Sequence, residues 1–192
     1  AIDRTALIRD ILQENGSPAY GPLPEELFSI SSPKESIDDA IQLLEKNGWK
    51  AGTDGFRAKT QGKVVTPLAF TLTVPNVQFL TKTAESLQES WKRIGANVSL
   101  NVEAPEVVVD TAIKNRDYDA LLFGNALNTT YDLFSFWHSS ERFAPGLNLA
   151  LYQNSKADTL MESIRQTPDA TNRAEEFNAL GTIIVGDAPA TF

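Results

Sequence analysis

The chain has 192 residues, with 17 basic and 25 acidic side chains and a formal net charge of −8. This acidic balance argues against nucleic acid as a partner, because a nucleic-acid surface needs basic side chains to neutralise its phosphates. The chain has no cysteine and only one histidine, which excludes disulfides, zinc–thiolate sites, cysteine nucleophiles and metal sites built on two histidines. We expect neither a metal nor a cofactor.

The first quarter of the chain predicts two helices separated by an extended segment. A helix is expected over residues 3–13, with Asp3 as its N-cap. Four prolines between residues 16 and 33 predict an extended, turning segment. Ser36, with Asp39 three residues later, predicts the capping box of a second helix. The buried stripe of that helix should consist of Ile37, Ala40, Ile41 and Leu44.

The middle of the chain alternates strands and helices. Alternating apolar residues predict strands over 68–74 and 97–102, and an amphipathic helix is expected over 80–94. A further helix should begin at Pro105, and the run 118–123 is apolar enough to be a central strand. Strands joined in this way favour right-handed crossovers, so we predict an α/β fold with a mostly parallel or mixed sheet flanked by helices.

The last third is regular only at its end. Residues 125–154 show no clear periodicity, whereas Ser155, followed by Asp158, predicts the N-terminus of a helix. A final helix is expected from about Asp169 to Gly186. The stretch from residue 120 to residue 154 has only three charged side chains, Asp132, Glu141 and Arg142.

This aromatic, amide-rich segment is the candidate ligand site. Ligands of open α/β sheets bind beyond the carboxyl ends of the strands, and apolar walls with a few polar anchors suit a small-molecule site. Asp132 is expected to be structural, because Asp in a tight loop accepts backbone N–H groups, and Trp137 is expected to be mostly buried. The candidate ligand-binding residues are Asn125, Asn128, Tyr131, Asp132 and Trp137.

Two structural alternatives stay open for this segment. The aromatic rings would then pack the loop onto the sheet, and the amides of Asn125 and Asn128 would cap the turn. A different function is also open: a small hydrolase-like α/β enzyme that uses His138 and Asp132 as acid–base groups. No GxSxG nucleophile motif supports it, and a lone histidine between Trp137 and two serines is more often structural.

A set of short motifs occurs in the order typical of one family. With them, the whole chain resembles the C-terminal lobe of the extracytoplasmic peptide-binding proteins of ABC transporters, the oligopeptide, dipeptide and nickel solute-binding family. The motifs are Ala1-Ile2-Asp3-Arg4, Gly16-Ser17-Pro18 with Gly21-Pro22-Leu23-Pro24, Ala40-Ile41-Gln42-Leu43-Leu44 with Asn47-Gly48-Trp49, Trp91-Lys92-Arg93-Ile94-Gly95, Asp117-Tyr118-Asp119-Ala120, Phe136-Trp137-His138-Ser139-Ser140, Gly146-Leu147-Asn148 with Tyr152, and Asp187-Ala188-Pro189-Ala190.

The resemblance implies a type II periplasmic-binding-protein-like architecture in which residues 1–192 form one domain. This domain would be one jaw of a hinged receptor whose N-terminal lobe lies elsewhere in a longer protein, so residues 1 and 192 should be close together. Peptide-binding relatives usually carry Trp and Asp where this chain has Asn125 and Asn128. A neutral site of this kind would hold a peptide through backbone hydrogen bonds, or a sugar or another polar solute.

The resemblance also implies partners and a location. The parent protein would work in the periplasm or outside the cell, tethered to the membrane as a lipoprotein, and would deliver its solute to a membrane permease. The N-terminus is neither a signal peptide nor a methionine start, so we expect the chain to be part of something longer. A receptor-like module for sensing, without transport, is a further alternative.

Overall fold

The computed structural model describes residues 2–24, 27–28, 36–127 and 130–192. The chain divides into two compact units, which we name the sheet unit and the helical unit. The sheet unit comprises Ala1–Pro18, Lys34–Ala112 and Asp117–Phe123, and the helical unit comprises Ala19–Pro33, Ile113–Arg116 and Gly124–Phe192. That residues 1–192 act as one domain stays a prediction, as does the closeness of the termini, since residue 1 lies outside the described residues.

The first two helices begin where the caps predict. Helix α1 spans Arg4–Asp10, and the Asp3 carboxylate accepts a hydrogen bond from the Ala6 amide at 2.9 Å. It ends before the predicted residue 13, because Gln13 and Glu14 adopt left-handed backbone angles, with φ of 51° and 64°. Helix α2 spans Ile37–Lys46, and the Ser36 hydroxyl accepts from the Asp39 amide at 3.1 Å. The stripe predicted to be buried is only half-buried.

A small antiparallel sheet follows that the sequence analysis did not predict. Its strands are β1 (Trp49–Ala51), β2 (Arg57–Gln61) and β3 (Val64–Pro67), paired in that order. Their residues are mostly exposed and lack an apolar alternation. The buried Arg57 side chain holds the sheet in place, donating to the carbonyls of Ile94 and Trp49, each at 2.9 Å.

The predicted parallel sheet is confirmed. Strand β4 (Ala69–Pro75) pairs in parallel with β5 (Asn97–Glu103) and with β6 (Ala120–Leu121), in the order β5-β4-β6. The prediction that the run 118–123 is a central strand was wrong: β4 is central within the described residues, and the short β6 lies at the edge.

Helices cover this sheet and complete the α/β fold. Helix α3 (Gln78–Lys92) packs on β4 and β5, and Gly95, with φ of 85°, follows its end. Helix α4 (Pro105–Val107) continues as a π-helical segment, Val108–Ile113. The buried core of the sheet unit consists of Ile2, Leu72, Val74, Ala84, Leu87, Ala96 and Val98.

The helical unit is formed by short turns and two longer helices. Helix α5 is Phe134–Trp137 and is followed by a 3₁₀ turn, Ser139–Glu141. Helix α6 (Ser155–Ile164) is capped by Asn154, not by Ser155 as predicted, because the Asn154 side chain accepts from the amides of the next turn. Helix α7 (Ala170–Asp187) lies where a final helix was predicted, and Asp169 caps it by accepting from the Asn172 amide. No described helix is long and apolar enough to cross a bilayer.

Candidate functional site

The segment that follows β6 is neutral. The Asp119 carboxylate fixes the start of this strand by accepting a hydrogen bond from the Thr71 amide of β4 at 2.9 Å. No charged residue lies between Asp119 and Asp132. Asn125 is exposed, whereas Asn128 lies outside the described residues. Any ligand of this segment would therefore meet amides, hydroxyls and backbone groups and no formal charge.

Tyr131 and Asp132 end the neutral segment in a fixed conformation. Tyr131 is 36% exposed and has a φ of 52°, the left-handed region that an aromatic residue rarely adopts. The Asp132 carboxylate accepts from the Phe134 amide at 3.1 Å, which places it at the start of α5. Asp132 thus has the structural role that was expected of an aspartate in a tight loop.

Asp132 is also held by Arg165, which follows α6. The two side chains form a bidentate pair, with an Nη2–Oδ2 distance of 2.6 Å and Nε–oxygen distances of 3.2 and 3.1 Å. The hydrogen bond from Arg165 lowers the pKa of Asp132 below its ordinary value, and the Phe134 amide adds to this effect. The guanidinium carbon of Arg165 also lies 3.8 Å from the centre of the Phe134 ring. The pair therefore anchors the loop end to α6.

Trp137 lies inside the helical unit. It is 7% exposed, in agreement with the expectation that it is mostly buried. Its ring contacts Tyr152 edge-on, with the ring centres 6.1 Å apart, and Phe192 at 5.5 Å. Burial, followed by the hydrogen bond to Asp187, raises the pKa of the Tyr152 hydroxyl. Trp137 is therefore a core residue of the helical unit, and its ring packs against Tyr152 and Phe192.

His138 is a buried residue engaged by its own loop. Its Nδ1 accepts from the Ser140 amide at 3.1 Å and lies 2.9 Å from the Ser140 hydroxyl. The ring stacks on Phe134, with centres 4.0 Å apart. Nε2 lies 3.5 Å from a Glu162 carboxylate oxygen, yet no hydrogen-bond partner for it is found among the described residues.

The structure pairs the two groups of the enzyme alternative with other residues: Asp132 with Arg165, and His138 with Ser140. The His138 Nε2 atom and the nearby Glu162 carboxylate are too few groups to bind a metal ion. Among the described residues there is no group of three side chains that could hold a metal ion.

The loop over residues 138–152 is the part of this region that the sequence analysis missed. Asn148 is fully buried, and its amide donates to the carbonyls of Trp137, His138 and Tyr152 at 3.2, 3.0 and 2.9 Å. Its side-chain oxygen accepts from the Tyr152 amide at 3.0 Å. The sequence analysis identified Gly146-Leu147-Asn148 with Tyr152 as a family motif, but a motif does not show that its asparagine bridges the loop internally.

Arg116 fixes the same loop from the other end. Its guanidinium donates to the carbonyls of Arg142 at 2.8 Å and Gly146 at 2.6 Å, and also to the carbonyl of Ile113. Gly146 leaves no room for a side chain, because a Cβ there would lie 2.3 Å from the Glu141 carbonyl oxygen. The loop is therefore tied down by Arg116 and Asn148.

Comparison with known proteins identifies the family to which the chain belongs. The family model described as bacterial extracellular solute-binding proteins, family 5 Middle, matches residues 1–143. The oligopeptide-binding protein AppA of Bacillus subtilis is 32% identical over all of this chain and 36% of its own length. The probable D,D-dipeptide-binding periplasmic protein DdpA of Escherichia coli is 26% identical over 97% of this chain and 34% of its own length.

A solved structure shows the same architecture. The oligopeptide-binding protein AppA from Bacillus subtilis, in complex with a nonapeptide, superposes with a TM-score of 0.84 at 28% identity, over 98% of this chain and 38% of its own. This similarity confirms the predicted fold, one part of a type II periplasmic binding protein. The chain spans about a third of the length of the curated relatives it matches.

Proposed function

Because the chain belongs to family 5 of the bacterial extracellular solute-binding proteins, we propose that it is one lobe of a hinged receptor that supplies an ABC importer. Its ligand is a small peptide or a similar polar solute. The observation that carries the proposal is the similarity of the entire chain to an oligopeptide-binding protein, in sequence and in fold alike. The lobe binds its ligand without chemical conversion, since family members are named as binding proteins.

The proposal includes partners and a place in the cell. The rest of the same receptor closes over the ligand by hinge motion, which excludes water from the bound solute. A membrane permease receives the solute, and the full-length protein is tethered to the membrane as a lipoprotein, in the periplasm or at the outer side of the cell. Use of the same lobe for sensing is the alternative to transport, and it changes the permease partner but not the ligand site.

We propose Asn125, Asn128 and Tyr131 as the ligand contacts. Support comes from the exposure of Asn125 and Tyr131 and from the lack of charge between Asp119 and Asp132. Asp132 and Trp137 belong to the same site in a supporting role, because one is bound to Arg165 and the other is buried. A site without charge binds the backbone and polar groups of a peptide, because it has no charged side chain to pair with the charged termini.

The test is a calorimetric screen of the full-length receptor against a library of short peptides and a panel of sugars. We expect peptides to bind, and Asn125→Ala to weaken that binding by about 1–2 kcal/mol, the cost of one hydrogen bond to a neutral partner. The matched control is Asn172→Ala, an exposed asparagine on α7, which should leave the affinity unchanged. Binding of sugars alone would overturn the peptide assignment. A lower melting temperature at unchanged affinity in Asn125→Ala would show that this amide only caps the turn.

A further inference from the structure

The exposed apolar side chains of the helical unit are concentrated in its loops. Helices α6 and α7 keep their large apolar side chains buried or half-buried. Among the described residues of this unit, the exposed ones lie between residues 124 and 151, and Phe143 has the highest exposure at 66%. Exposed apolar side chains that lie close together in one short segment mark interaction sites more often than single ones do. The exposed residues are Leu127, Tyr131, Phe143, Leu147 and Leu151.

Three of these side chains belong to residues 143–151, which we call the apolar loop. Its backbone is held by Arg116 through the Arg142 and Gly146 carbonyls and by Asn148 through four hydrogen bonds. Phe143 is therefore presented by a loop fixed on both sides and not by a loose segment. An aromatic ring that is ordered before binding loses little entropy on binding, and such rings are typical anchors of interfaces.

The composition of the loop indicates what covers it. The 13 residues from Phe143 to Ser155 contain no charged side chain, although 22% of the chain is charged. Few charged residues are found in the core of a protein interface. An anionic membrane would instead require clusters of Lys and Arg, which this loop does not contain. Surfaces that meet a partner only transiently stay about as polar as the rest of a protein. The apolar loop therefore resembles a surface covered by another part of the same protein.

We propose that the apolar loop is the docking surface for the remaining part of the full-length receptor, with Phe143 as its anchor. The length of the relatives supports this occupant, because this chain matches only 36% of AppA and 34% of DdpA. The proposal rests on the proposed function in one respect, that the chain is one lobe of a longer receptor. It adds the surface through which the two parts meet.

The test uses the absence of cysteine from this chain. Phe143→Cys introduces a single thiol into this chain. Its reaction rate with a small maleimide is measured in the 192-residue chain and in the full-length receptor. Any other cysteine of the full-length receptor is first replaced by serine. We expect this thiol to react at least about 10-fold more slowly in the full-length receptor, since a thiol within an interface is shielded from solvent. The matched control is Asn172→Cys, at an exposed polar position on α7 of the same unit, which should react equally fast in both proteins.

Several outcomes would overturn the proposal. Equal rates for Phe143→Cys in the two proteins would show that the loop stays free. Protection that appears already in the 192-residue chain, and that grows with its concentration, would assign the surface to a second copy. Leu147→Cys repeats the measurement if Phe143→Cys does not fold. Peptide binding by the same full-length preparation separates the two proposals: a receptor that binds peptide while its Phe143→Cys thiol reacts freely retains its function and loses only the docking surface.

Discussion

The pair of Asp132 and Arg165 illustrates how one side chain can anchor a loop. The two residues are 33 positions apart in the sequence, yet their side chains form a bidentate contact that is 31% and 42% exposed. Partial exposure keeps the energy of such a pair small, about 0.5–1 kcal/mol. Its significance is geometric, since it fixes the residue that directly follows the left-handed Tyr131.

We predict that the stability from this pair depends on pH. The native-state pKa of Asp132 is lowered, so its contribution is present above the unfolded value of about 3.9 and is lost as the pH falls through the native-state value. Asp132→Asn should therefore reduce the free energy of unfolding by about 1 kcal/mol at pH 7, with the difference vanishing in acid. Urea unfolding between pH 3 and pH 7 measures this, with the exposed Asp110→Asn as the control expected to show no change. A difference independent of pH would contradict the prediction.

Asn148 is the residue on which the 138–152 loop depends most. Replacing it by Ala removes the partner of the Trp137 and Tyr152 carbonyls and of the Tyr152 amide, whereas the His138 carbonyl keeps its bond from the Glu141 amide. Each unsatisfied buried group costs about 1–3 kcal/mol. We expect Asn148→Ala to lower the free energy of unfolding by at least about 3 kcal/mol. Chemical denaturation provides the measurement, and the exposed Asn101→Ala on β5 should stay within about 0.5 kcal/mol of the parent chain. A loss for Asn148→Ala no larger than that of the control would show that water replaces the lost bonds.

At the scale of elements, two glycines in α7 make opposite predictions for the same substitution. A Cβ on Gly181 would lie 2.6 Å from the ring of the buried Phe28, whereas a Cβ on Gly186 would meet nothing within 4 Å. Gly181→Ala should therefore destabilise the chain by about 1–3 kcal/mol through overpacking. Gly186→Ala should stabilise it by up to about 1 kcal/mol, because alanine loses less backbone entropy in a helix. Melting curves of the two variants compare them directly, and stabilisation of both would show that the Phe28 ring can move aside.

For the whole molecule, we predict that the 192-residue chain folds but binds its ligand weakly. Each unit has its own buried core, so folding does not require the rest of the receptor. High affinity does require it, because closure of the second lobe is what excludes water from the ligand. Calorimetry with the best peptide from the library should show an affinity at least about 100-fold lower for the chain than for the full-length receptor. Equal affinities would mean that the site is complete within this chain.

The sequence by itself determined those features that depend on neighbouring residues. Alternating apolar residues predicted β4 and β5, and helical spacing predicted α3 and α7. The caps Asp3 and Ser36 were identified correctly. The order of short motifs along the chain was enough to identify the family. Periodicity and capping operate over a few residues, so they can be read without knowing how the chain folds back on itself.

Only the tertiary structure decided which distant groups meet. Arg57 holds the unpredicted hairpin sheet through a carbonyl 37 residues away, and Arg165 reaches Asp132 across 33 residues. The position of β6 at the sheet edge, the cap at Asn154 and the buried amide of Asn148 were missed for the same reason. A polar side chain looks the same in the sequence whether it is exposed or bound inside the protein. Its partner is chosen when the elements pack, because a buried donor or acceptor must then find another protein group in place of water.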